Sequence, residues 1–184
     1  TGTTGAYALT ITGAAATIAQ LVSINAATTG AITLSTDTIA ENYTDSAANL
    51  ELAFAGITAG THDGTLEAND ATTVAQANKF DAVSNGVVTA SISDTAENLA
   101  TLTGTTGAYT LTITGAAASL ADLISINAAT TGAIALNAAT IANNYFGSAD
   151  NLELAFAGIA GGTHDGTIEA HSLTTVAQAN KFDA

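Results

Sequence analysis

The residues best suited to chemistry sit in a repeated pentapeptide. Thr61-His-Asp-Gly-Thr65 recurs as Thr163-His-Asp-Gly-Thr167, and each is followed by Leu or Ile and then Glu. With a strand beginning at Gly64, Asp63, Thr65 and Glu67 share one face, and Asp165, Thr167 and Glu169 share the matching one. Carboxylate and hydroxyl oxygens of this kind suit Ca²⁺. A cation would also offset a formal net charge of -14. Asp63, Glu67, Asp165 and Glu169 are therefore the candidate metal ligands, and calcium the candidate ion. The competing reading is structural: Asp-Gly is a turn entering a strand, and the two glutamates are solvated. His62 and His164 read as turn residues, and His171 has Asn69 at its matching place. Lys79 and Lys181 each lie two residues before an Asp on a helical stretch and read as surface ion-pair partners. No nucleophile–base pair is recognisable, and no glycine loop with a Lys is present to cradle phosphate. The expectation is a protein that is not an enzyme.

A second set of groups is a series of hydroxyls at alternate strand positions. In Ala6–Thr12, Tyr7, Leu9 and Ile11 point one way, toward helices, while Ala8, Thr10 and Thr12 point the other. The same split sets Ile32 and Leu34 against Thr33 and Ser35, and Val88 and Ile92 against Thr89, Ser91 and Ser93. It sets Leu111 and Ile113 against Thr110, Thr112 and Thr114. Stacked strands turn Thr10, Thr12, Thr33, Thr89, Thr110, Thr112 and Thr114 into one face of small hydroxyls. That face has three readings. Thr and Ser suit an exposed strand surface; small residues suit close packing by another chain or a loop; a flat Thr-X-Thr array suits ice, glycan or mineral. Ala133, Ala135 and Asn137 interrupt the array.

The elements that must position these groups come from a repeat. Residues 1–82 return as 103–184 without a gap, at an offset of 102, with 63 of the 82 aligned positions identical. Residues 83–102 occur once. The chain therefore reads as one partial copy (1–82) and one full copy (83–184) of a 102-residue period in a continuous array. Both ends fall at repeat boundaries without obvious caps, as in a segment cut from a longer array. Thr1 and the lack of any Met mark a processed chain or an excerpt.

Within the period, Ala6–Thr12, Ala31–Ser35, Gly64–Ala68 and Val87–Ser93 alternate with the strand period, and the series restarts at Ala108. Ala-rich stretches between them have helical spacing: Ile18, Leu21 and Val22; Leu120, Leu123 and Ile124; Val74, Ala77 and Phe80. Asp94-Thr-Ala-Glu97 reads as a helix start with Asp94 as cap. Thr38-Ile-Ala-Glu41 and Thr73-Val-Ala-Gln76 read as capping boxes. Gly30, Gly86 and Gly132 read as helix ends before strands. The longer stretch 36–61 has room for two short helices, or a helix and a loop. Strand then helix, repeated, predicts a parallel sheet with right-handed crossovers. The predicted fold is an α/β solenoid of about seven stacked turns, with a β-solenoid as the alternative.

Composition removes other classes. With no Cys, the chain has no disulfides and no thiolate metal site. Two Lys+Arg against 16 Asp+Glu repel nucleic acid and anionic membrane surfaces. No apolar run approaches the roughly 18 residues needed to span a bilayer. A hydrophobic content of 47% is too high for a disordered chain.

Val87-Val-Thr-Ala-Ser-Ile-Ser-Asp-Thr-Ala-Glu-Asn-Leu99 resembles the strand-plus-"SDTAxNL" unit of very large bacterial surface and secreted proteins, frequent in cyanobacteria. Thr73-Val-Ala-Gln-Ala-Asn78, Gly115-Ala-Ala-Ala118 and the Asn127–Gly132 stretch resemble the helical parts of such units. The resemblance covers most of the chain and departs from it in residues 36–70, where Tyr43 and Phe54 lie; Tyr145, Phe146 and Phe156 mark the same stretch of the second copy. Aromatics there suit an extra core or a contact between arrays. The resemblance implies an extracellular or cell-surface setting and carries no catalytic residues. The expected function is a structural repeat segment that associates with copies of itself into a fibre, sheath or adhesin. The alternative is a binding module using the Thr face.

Overall fold

The computed structural model describes residues 5–104, 107–160, 163–172 and 174–182. Strands and helices alternate along the chain. The first period holds β1 (Leu9–Thr10), α1 (Ile18–Ala27), β2 (Ile32–Thr33), α2 (Thr36–Ala40), β3 (Tyr43–Asp45), α3 (Ala47–Phe54), β4 (Leu66–Thr72), α4 (Val74–Val83), β5 (Val88–Thr95) and α5 (Ala96–Leu99). The second holds β6 (Thr110–Thr114), α6 (Leu120–Ala129), β7 (Ile134–Ala135), α7 (Ala138–Ile141), β8 (Tyr145–Gly147), α8 (Ala149–Phe156), β9 (Ile168–Ala170) and α9 (Val176–Phe182). All strand pairs are parallel, as strands joined through helices must be when each packs on its predecessor. Within each sheet, every strand–helix unit forms a rung laid on the one before. The register runs from Leu9 to Ile32, from Tyr43 to Leu66 and Val88, and from Ser91 to Thr110.

The sheets change track twice. β1 pairs only with β2, then β3 opens a five-stranded sheet β3-β4-β5-β6-β7, and β8 opens another with β9. Where a new track opens, the old one continues for one rung as an isolated bridge: Ile32 with Ile57, and Ile134 with Ile159. The short helices α2 and α7 carry the chain from old track to new. Stretch 36–61 thus contains two helices with a strand between them, and this strand was not foreseen. Three residues are too few to show alternation. β3 exists because Leu66-Glu-Ala68 pairs with it along Tyr43-Thr-Asp45.

Alternation did identify the inward residues. Ile32, Leu34, Leu66, Val88, Ile92, Leu111 and Ile113 are buried, as are Leu21, Val74, Ala77, Phe80, Leu123 and Ile126 from the helices, in one continuous core. Burial of this apolar surface is the main force holding rung to rung. Tyr7 departs from the expectation: it is 62% exposed.

Helix starts follow one device with different donors. Thr17, Thr73 and Ser119 form reciprocal capping boxes with Gln20, Gln76 and Asp122. At α5 the cap is Thr95 rather than Asp94, and it accepts from Asn98 N. Asp94 stands outside, where its Oδ1 accepts from Thr95 N and from Asn98 Nδ2, both at 2.8 Å. Asp45, Ser46 and Asn49 repeat this arrangement at α3. The Asp-Ser/Thr-Ala-x-Asn-Leu motif is therefore a helix-start module, with Ala and Leu buried behind it. Thr38 is no cap either. It lies inside α2, capped by Ser35, and its buried hydroxyl accepts from Ala16 N of the preceding rung.

Gly30, Gly86 and Gly132 follow the helix ends rather than forming them; the caps are Thr28, Ser84 and Thr130. None of the three has a positive φ. A Cβ at each would strike a backbone carbonyl of the rung below: Tyr7, Gly64 and Tyr109 respectively. These glycines set the closeness of the rungs.

Candidate functional site

The widest ordered array of polar groups is the outer face of the five-stranded sheet. Register places Thr44, Glu67 and Thr89 in one row, Ser91 and Thr110 in the next, then Ser93, Thr112 and Ala135, then Thr95 and Thr114. Rows are spaced about 6.6–6.8 Å along the strands and about 4.8 Å across them, from strand geometry. Thr110, Thr112 and Thr114 are exposed and Thr89 is half-buried. On the smaller sheet Thr10 pairs with Thr33, and both are exposed, as is Thr12 beyond the end of β1. The structure brings Thr89, Thr110, Thr112 and Thr114 onto one sheet. Thr10, Thr12 and Thr33 belong to the separate first track.

β4 is irregular where this face begins. Its register moves from Glu67 opposite Thr89 to Ala71 opposite Ser91, so two extra residues bulge out. Beside the bulge lies an open groove of about 880 Å³, lined by Glu67, Asp70, Ser91, Asp94 and Thr112 with their neighbours. Its carboxylates already serve the fold. Asp70 accepts from Ala47 N at 2.7 Å, Asp94 holds the α5 start, and Glu67 accepts from Thr44 Oγ1 at 3.0 Å.

Of the metal candidates, Asp63 and Glu67 are both exposed on the same side of their rung, alternating with buried His62, Gly64 and Leu66. β4 itself begins at Leu66, not Gly64. Asp63 Oδ1 accepts from Asn85 Nδ2 at 3.0 Å, so Asp63 and Glu67 each bond to a different adjoining rung. Asp165 and Glu169 are exposed at the matching places. Among the described residues no group of three or more His, Asp or Glu side chains gathers.

The residues that sequence reasoning missed are interior. His62 is fully buried, not a turn residue at the surface. It packs between Tyr43 and Phe54, with ring centroids 5.5 and 5.1 Å away. Its Nε2–H donates to the Glu41 carbonyl at 2.9 Å, and Ser84 Oγ lies 3.3 Å from Nδ1. Burial pushes the imidazole below its ordinary pKa, which favours the neutral ring. Burial, helped by the Glu41 charge, likewise pushes Tyr43 up to about 12, and its hydroxyl donates to Ala16 O at 2.6 Å. Tyr145, Phe156 and His164 repeat the trio, with His164 half-buried. Phe146 stands apart, 58% exposed on the outer face. The signal for the trio in the sequence is the spacing Tyr43, Phe54, His62, which recurs intact in both copies.

Lys79 pairs with Glu51 of the preceding rung, not with nearby Asp81. The pair holds the Glu51 carboxyl below its usual range. Asp81 turns inward and accepts from the Tyr109 hydroxyl, while its Oδ1 is buried without a partner among the described residues. Burial raises the pKa of both Asp81 and Tyr109. The side chain of Lys181 and all of Asp183 lie outside the described residues.

Asparagines complete the pattern by acting as peptide mimics between rungs. Asn25 bonds to the Ala53 carbonyl and accepts from Gly56 N, and Asn127 does the same with Ala155 and Gly158. Asn78 donates to Thr101 O at 3.0 Å and accepts from Thr103 N at 2.9 Å. The arrangement joins backbone to backbone.

Among the described residues, no helix is long and apolar enough to cross a membrane. No family model matches the chain, and neither a curated protein nor a solved structure matches it.

Proposed function

We propose that this chain is a structural segment of an extracellular or cell-surface protein, an α/β solenoid that builds length and associates with copies of itself end to end or side by side. One observation carries the reading: the buried polar side chains stitch one rung to the next. Thr28 donates to Gly5 or Tyr7, Thr38 accepts from Ala16, and His62 bonds to Glu41. Ser84 bonds to Gly64, Thr140 accepts from Ala118, and Gln178 bonds to Asp150. Thr72, which bonds to Asp70 O, is the local exception among the described buried polar residues. Polar groups deployed this way fix how one rung seats on another, which suits a length-building array. No catalytic role is proposed.

The resemblance of Ser93–Leu99 to units of large secreted arrays supports the surface setting. Electron microscopy of the purified protein, with calcium and again with EDTA, tests the reading. Filaments or ordered sheets are expected. Isolated short rods in both conditions would remove self-association as the function.

The exposed hydroxyl lattice on β5 and β6 favours a second reading, recognition of ordered water or of a glycan by that face. Thr112 is exposed, so Thr112→Tyr leaves the fold intact. On this reading it abolishes ice shaping or glycan retention; on the first it leaves assembly unchanged.

A further inference from the structure

The two outer rungs of the described structure expose faces whose sequence twins inside the same chain are covered, and one segment covers both twins. The first twin pair is at the amino-terminal side. Tyr109, Leu111 and Ile113 are almost wholly buried, at 0%, 0% and 1% exposure. Their cover is the rung formed by β5 and α5. Ala108 N donates to Val88 O at 2.8 Å, Ile92 pairs with Leu111, and Tyr109 donates to Asp81 just upstream. The matching residues Tyr7, Leu9 and Ile11 have no such rung among the described residues: Tyr7 is 62% exposed, and the other two are half-buried.

The second pair is at the carboxy-terminal side. Val74, Ala77 and Phe80 of α4 are buried, and Asn78 grips the backbone at Thr101 and Thr103. In α9 the matching Val176 is 79% exposed and Ala179 is exposed, and Asn180 has no such partner among the described residues. The rung that follows α4 is the same β5–α5 segment. One face of this segment therefore fits the α9 side, and its opposite face fits the Tyr7 side.

We propose that both outer faces are docking sites for a polypeptide rung of the Val83–Leu102 pattern, strand Val-Val-Thr-Ala-Ser-Ile-Ser followed by the Asp-Thr-Ala-Glu-Asn-Leu helix start. Its strand pairs alongside β9 on one side and β1 on the other. Its leucines at the Leu99 and Leu102 positions complete the core, and an aspartate at the Asp81 position, immediately upstream, receives the Tyr7 hydroxyl. This deepens the structural reading above and rests on it, by naming the element that joins one repeat to the next.

The test appends a copy of residues 83–102 after Ala184, which restores the 102-residue phase. Hydrogen exchange is expected to show new protection of the Val176–Phe182 amides, as the appended rung seats on α9. Sedimentation velocity is expected to show concentration-dependent end-to-end oligomers at lower protein concentration than the unextended chain requires. Tyr7→Ala in the extended chain, at a position already exposed, should weaken association by roughly 10- to 100-fold, the worth of one large side chain buried. Unchanged α9 exchange overturns the proposal, and so does an extended chain that sediments like the parent or ignores Tyr7→Ala. Lateral sheets of the unextended chain, seen by microscopy alongside such a failure, would leave the structural function standing without this junction.

Discussion

Residues 5–27 and 107–129 are near copies in sequence and differ sharply in surroundings. Tyr7 points into solvent, while Tyr109 is fully enclosed with its hydroxyl on Asp81. The contrast reappears at the other side of the molecule, where His62 is fully buried and His164 half-buried. Ser84 of the next rung closes over His62. In each pair the local sequence is nearly the same. The difference is one neighbouring rung. Strand alternation states which side of a rung is apolar; whether that side lies in the core depends on what is stacked upon it.

The largest expected effect sharpens this contrast directly. Tyr109→Ala should lower stability by about 3–5 kcal/mol, as for other large buried aromatics, whereas Tyr7→Ala should stay within about 0.5 kcal/mol. Urea denaturation of the two variants measures both, and equal losses would mean that Tyr7 is covered in solution. The next test asks where the contrast should break down. Gly30 and Gly132 each face a tyrosine carbonyl of the rung below, a contact both copies possess. Gly30→Ala and Gly132→Ala should each cost about 1–3 kcal/mol through overpacking. A loss confined to Gly132→Ala would show that the first rung is held more loosely.

A smaller, pH-dependent effect comes from the Asp81–Tyr109 pair. The carboxyl of Asp81 is raised by burial, so the fold favours its neutral form. Its contribution is fully present below the ordinary carboxyl value of about 3.9 and is lost as pH rises through the raised folded value. Asp81→Asn should therefore match the parent protein in strong acid and become the more stable of the two toward neutral pH. Denaturant midpoints across that range check it, and a pH-independent difference would contradict it. The smallest effect compares helix starts. Asn49 donates to Asp45 at 2.8 Å, whereas the second copy has Gly147 in place of that aspartate. Asn49→Ala should cost about 0.5–1 kcal/mol by thermal melting, and Asn151→Ala close to nothing.

Much of the framework was legible because it rests on local rules. Val74, Ala77 and Phe80 share a helix face at that spacing in any context, and Thr73 forms its capping box with Gln76, three residues away. Thr110, Thr112 and Thr114 lie outward because Leu111 and Ile113 lie inward. The candidate site was legible to the same degree: the hydroxyl rows were foreseen, but not their division between two tracks. That division follows from β3, a three-residue strand with no pattern of its own. Asp94 illustrates a different limit. Its type suits a cap, yet Thr95 takes that place and Asp94 holds Asn98 from outside, a choice between adjacent cap formers that composition does not resolve.

The amino-acid order alone specifies the rung: the strand with one apolar side, the capped helix behind it, and the 102-residue recurrence. These depend on interactions a few residues long, or on a pattern that repeats. Stacking decides the rest. It makes His62 an enclosed ring instead of a turn residue, sends Lys79 to Glu51 while Asp81 turns to Tyr109, and separates Tyr7 from Tyr109. Each of these outcomes joins residues more than 20 positions apart. Partners at that distance are set by which rung lies above and which below, and no local preference encodes that order.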